Sequence, residues 1–149
     1  MSVRRRQMSP ALARCALAIV LLGWVAVANE RLGLVTTSFG YFYAYAIPVF
    51  AIVAAAIVLL GRAFKDTIAT RRSDWHLVVF RAVPKAARIT FVVLVVAAFG
   101  YMFLATAGSA SAPTWEAAGP NLRSALFAGF TIPALLAWVA LLAAARAAV

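Results

Sequence analysis

Charge is scarce in this chain, and negative charge scarcest of all. Asp, Glu, Lys and Arg together make up 12% of its 149 residues, against about 25% in ordinary soluble domains. Only four residues are acidic, and there is one histidine and one cysteine. So few charges would leave most of the surface of a small water-soluble globule apolar, which excludes a soluble enzyme and a disordered chain. A lone cysteine excludes a disulfide-built secreted scaffold and a cysteine-based zinc site. Cys15, set in Arg14-Cys15-Ala16-Leu17, reads as a small packing hydrophobe.

Catalytic and metal-binding groupings are missing as well. No HExxH, GxSxG, P-loop or Cys/His cluster occurs. Asp74 and His76 stand two apart but supply too few ligands for a metal by themselves. The expectation is therefore a protein that is not an enzyme, with no catalytic residue, cofactor or metal. Each acid has an arginine within seven positions, so local charge balance accounts for all four.

What is present is hydrophobic length. Hydrophobic residues are 66% of the chain and the mean hydropathy is +0.97. A bilayer core needs about 20 apolar residues of helix, and four runs approach that: 10–28, 41–60, 89–107 and 125–145. None alternates in polarity as a barrel strand would, and helix satisfies the backbone in lipid. The fold expected is all-α: a polytopic membrane protein, one integral domain over 1–149, built as a four-transmembrane-helix bundle.

The fourteen basic residues suggest its orientation. Arg4, Arg5, Arg6 and Arg14 open the first run; Arg62, Lys65, Arg71, Arg72, Arg81, Lys85 and Arg88 surround the 61–88 loop; Arg146 follows the last run. Only Arg31 and Arg123 fall on the other side. By the positive-inside rule both termini and the loop are cytoplasmic, in the inner membrane of a bacterial-type cell. Trp24 and the Tyr41-Phe42-Tyr43-Ala44-Tyr45 cluster then stand at outer helix ends, as interfacial aromatics do. A net charge of +10 does not imply nucleic-acid binding, since no recognisable module accompanies it. Anionic lipid headgroups are the better match. A second reading of the first run stays open, because a basic start, an apolar stretch and Ala26-Val27-Ala28 have the shape of a signal peptide.

Within the loop, Trp75, Val78, Val79, Ala82 and Val83 share one face at helical spacing, with Leu77 and Phe80 widening it. Asp74 is placed to cap such a helix and Pro84 to end it. The segment is expected to be a short cytoplasmic interfacial helix. Trp75, Val78, Val79 and Phe80, with Arg71 and Arg72, form its contact set toward the inner leaflet or a partner.

The two halves echo each other. Pro10 and Arg14 recur as Pro84 and Arg88, and Phe42–Pro48 repeats as Phe127–Pro133 in the pattern Phe, aromatic, Ile-Pro. A duplication would pair Pro48 and Pro133, each freeing a carbonyl one turn earlier, with Thr131 and Tyr45 beside them as a pocket or hinge. Chance matching in Ala- and Val-rich helices is the competing reading. Ala51-xxx-Ala55, Ala125-xxx-Gly129 and Ala140-xxx-Ala144 suit close helix packing.

Two function classes follow. One is a non-catalytic accessory, assembly or regulatory subunit working through helix–helix and inner-leaflet contacts, with another membrane protein or itself as partner. The other is a small oligomeric transporter, flippase or channel for an apolar or weakly polar substrate, using the proline site.

Overall fold

The computed structural model describes residues 2–35, 37–70, 74–107 and 114–147, and the side chains of these other than 2–9 and Thr67. It is all-α. Four long helices, α1 (Ser2–Leu32), α2 (Phe39–Ala63), α5 (Lys85–Thr106) and α6 (Pro120–Ala147), are connected in series. Each is long and apolar enough to cross a membrane: over Pro10–Leu32 in α1 and over the full length of the other three. Two short helices, α3 (Lys65–Ala69) and α4 (Trp75–Ala82), occupy the loop between α2 and α5. With four long helices in series, the start of α1, the end of α6 and the described part of this loop share one end of the bundle, here termed the basic end.

The helices start ahead of their apolar runs, α1 at Ser2 against 10, α5 at Lys85 against 89 and α6 at Pro120 against 125, and α5 ends at Thr106, just short of its run, because helical hydrogen bonding follows local start and stop signals and not hydropathy alone. α1 stops at Gly33, whose φ of 64° places it in the left-handed region that favours glycine. The Leu34 N–H then closes onto the Asn29 carbonyl at 3.3 Å, and the Asn29 amide donates to the Val35 carbonyl at 2.9 Å, a Schellman-type ending. α2 begins with Ser38 as its cap, the hydroxyl accepting from the Tyr41 N–H at 3.2 Å. Asp74 stands at the cap position of α4, as expected, but its side chain makes no capping hydrogen bond; the Asp74 carbonyl accepts from Leu77 and Val78 instead.

The core is built around α6. It packs against α1, α5, α2 and α4, whereas α1 and α2 meet along a shorter stretch. Phe127, Ala128, Thr131, Ala134, Leu135, Leu141 and Ala143 of α6 are completely buried. Small residues make this possible. α1 presents Ala13, Ala16, Val20, Gly23 and Val27 as a buried stripe at three- and four-residue spacing. On the α5 side, Gly129 lets Met102 approach: a Cβ there would lie 3.2 Å from the methionine methyl. Of the three small-residue pairs, Ala125/Gly129 and Ala140/Ala144 lie on the central helix, while Ala51 of the third is exposed.

A two-fold repeat would carry the α1–α6 interface onto an α5–α2 interface. Among the described residues α5 packs on α6 instead, so the helix pairing does not follow the echo in the sequence.

Candidate functional site

The far end of the bundle is tied by polar and aromatic groups. Arg123 of α6 donates from Nε to Glu30 Oε2 of α1 at 3.0 Å. The Glu30 side chain is 2% exposed and that of Arg123 15%. This is not the local balance expected from the neighbouring Arg31, whose guanidinium donates instead to the Asn121 side chain. Tyr101 of α5 donates to Ser124 of α6 at 2.8 Å, and Ser124 donates on to the Asn121 carbonyl at 2.9 Å. Trp115 donates from its indole to the Thr37 carbonyl at 2.9 Å. Its ring lies 5.1 Å from Phe42, which is also 5.4 Å from Phe127 and 4.9 Å from Phe130. Phe39, Trp115, Glu116, Leu122 and Leu126 border a hollow of about 440 Å³.

The structure separates the two prolines of the expected hinge. Pro48 lines a cavity of about 210 Å³ between α1 and α2, together with Ala44, Tyr45 and Ile19. Pro133 lines a different one of about 240 Å³ between α2 and α6, among Val53, Ile57, Leu60 and Leu136. Thr131 is fully buried and donates to the Ala128 carbonyl at 2.6 Å, not to the Gly129 carbonyl that Pro133 leaves free. Tyr45 and Thr131 do converge, against Gly23 of α1. A Cβ at position 23 would stand 2.2 Å from the Tyr45 hydroxyl and 2.6 Å from Thr131 Cγ2. The Tyr45 hydroxyl is buried without a partner among the described residues. Tyr45, Pro48 and Thr131 thus surround one contact of α1 with its neighbours, and Pro133 stands outside it.

At the basic end α4 docks on its own bundle. Val79 and Val83 are buried, Val78 and Phe80 are half-buried, and Phe80 meets Phe91 of α5 at 6.1 Å. Trp75 and Leu77 stay exposed, at 39% and 48%. The predicted contact set is therefore divided: Val79, Val78 and Phe80 face protein, and Trp75 faces outward. Arg71 and Arg72 lie outside the described residues.

Between α4 and α5 runs an apolar groove of about 400 Å³, lined by Phe80, Ile89, Val92 and Val93, with Lys85 and Arg88 at its mouth. Sequence reasoning did not single out this pair, although Lys85 and Arg88 at i, i+3 on one helix face was the available signal. Among the described residues no group of three or more His, Cys, Asp or Glu side chains is placed to hold a metal. Comparison with protein families, curated proteins and solved structures finds no match.

Proposed function

We propose that this chain is a non-catalytic subunit of a larger membrane assembly, docking through α5. One observation carries the reading: α5 packs chiefly on one long helix, α6, touches α1 through the Tyr101–Trp24 ring contact, and leaves an apolar face open. Val96, Phe99, Phe103 and Leu104 are 65%, 56%, 76% and 75% exposed. Ala97 and Gly100 lie among them, and nothing occupies the space where a Gly100 side chain would project. Small residues between bulky ones form a surface into which another helix can interdigitate, the contact that drives association in lipid. In this reading the basic end is cytoplasmic by the positive-inside rule, in a bacterial-type inner membrane. Exposed Trp75 and Leu77 then rest on the inner leaflet among basic neighbours.

The oligomeric transporter reading draws on the cavity beside Pro48 and the unpartnered Tyr45 hydroxyl. The separate placement of Pro133 weighs against a paired hinge and favours the subunit reading.

A photocrosslinking residue at Gly100, in the full chain in its native membrane, tests the choice. The expected product is a discrete adduct with a different membrane protein, absent when the probe is placed at Ile57 on α2. Adducts with a second copy of this chain would move the assignment to the oligomer, and adducts with lipid alone would overturn both.

A further inference from the structure

We propose that the α4–α5 groove is a binding site for one anionic glycerophospholipid, its acyl chain along Phe80, Ile89, Val92 and Val93 and its phosphate between Lys85 and Arg88. The inference deepens the inner-leaflet contact proposed above, replacing diffuse attraction with a single built site.

Three features converge on the groove mouth. The first is charge: its two polar lining residues are both cations and no carboxylate lines it. The acids of the intervening loop, Asp66 and Asp74, are exposed and absent from the lining. The second is an unanswered donor. Arg88 Nε is buried and has no hydrogen-bond partner among the described residues, an arrangement that leaves a desolvated cationic N–H in need of an acceptor. Phosphate oxygens meet a guanidinium with short charge-assisted bonds. The third is the start of α5. Pro84 occupies the cap position and makes no side-chain cap bond, so the N–H groups of the first turn of α5 add positive potential at the same end.

Below this mouth the lining is wholly apolar, with Ile89, Val92 and Val93 each at least half exposed. A free anion would satisfy the mouth and leave that channel empty. A phospholipid fills both, and basic pockets between membrane helices hold anionic headgroups on this principle. The groove lies beside the basic end of α5, and Phe99, Phe103 and Leu104 are not part of its lining.

The test is native mass spectrometry of the full chain in detergent, with phosphatidylglycerol or phosphatidylcholine of identical acyl chains added. One phosphatidylglycerol is expected to remain bound at activation energies that strip phosphatidylcholine. Arg88→Gln or Lys85→Gln lowers retention about tenfold, because each removes a charged contact. Arg62→Gln, which removes a cation from α2, changes it less than about twofold. Val92→Trp fills the channel, keeps both charges and abolishes retention. Millimolar inorganic phosphate does not displace the lipid. Equal losses for Arg62→Gln and Arg88→Gln would reduce the contact to diffuse attraction and overturn the site. Displacement by phosphate, or full retention in Val92→Trp, would overturn the acyl-chain channel. The lipid comparison on the unmodified chain stands even if one variant fails to fold. Loss of the lipid site leaves crosslinking at Gly100 untouched, so the two proposals fail separately.

Discussion

Replacing Arg123 by alanine strands a carboxylate. Glu30 accepts at Oε2 from Arg123 Nε at 3.0 Å, and its Oε1 has no partner among the described residues. With the Glu30 side chain only 2% exposed, water cannot readily replace the guanidinium. Removing one member of a buried pair costs about 3–5 kcal/mol. Glu30→Gln leaves the charge on Arg123, whose side chain is 15% exposed and can turn toward solvent, so about 1–2 kcal/mol is expected. The double variant Glu30→Met, Arg123→Met removes both charges while keeping much of the volume, and its stability should return to near that of the parent. Unfolding by SDS titration in mixed micelles, followed by circular dichroism, of Glu30→Met, Arg123→Met and their combination gives the cycle. A coupling of about 2 kcal/mol or more is expected, little changed by salt because a buried pair is weakly screened. A coupling below about 0.5 kcal/mol, the level of independent sites, would refute the claim that this pair ties α1 to α6.

Gly23→Ala should destabilise by about 1–3 kcal/mol through overpacking, and Tyr45→Phe in the same chain should recover part of the loss, since the hydroxyl is the nearest clashing atom. Tyr45→Phe alone should be neutral or stabilising in SDS titration, because it removes a buried unpartnered hydroxyl. Tyr101→Phe deletes the bond to Ser124 and should cost about 1 kcal/mol by the same assay. Val79→Asp places a carboxylate in the α4–bundle contact and should release α4, read as a red shift in a variant keeping Trp75 as its only tryptophan, with the far-UV spectrum of the spans retained. In a Cys15→Ala background, cysteines at Thr70 and Ala147 should resist impermeant thiol reagents in intact cells while one at Glu116 is labelled; the reverse pattern would invert the proposed orientation.

The spans were legible because an apolar stretch long enough to cross a bilayer is a local property of the chain. Which span stands at the centre was not, for the four are nearly equal in mean hydropathy, 2.1 to 2.4. The distinction lies in side-chain size along α6, where alanines at 125, 128, 134, 137, 143 and 144 are buried. The paired small residues at 125/129 and 140/144 were its visible trace, and the pair at 51/55 shows how weak that trace is by itself. Glu30 illustrates the limit for polar sites. Its neighbour Arg31 offers a plausible partner, yet the observed one lies 93 residues away, a choice made by helix packing and invisible to local spacing. The loop helix was readable from its periodicity, but which of its apolar residues meet protein depended on where α5 and α6 place their ends.

The hub helix is also the last of the four to be synthesised. A chain emerging N-terminus first delivers α1, α2 and α5 to the membrane before the surface that joins them exists, and α1 and α2 have only a short mutual contact to hold meanwhile. Until α6 arrives, Glu30 lacks its partner Arg123 and the small-residue stripe of α1 is uncovered. Completion of the bundle therefore depends on the final span: without residues 120–147, the other long helices keep little more than the short contact between α1 and α2.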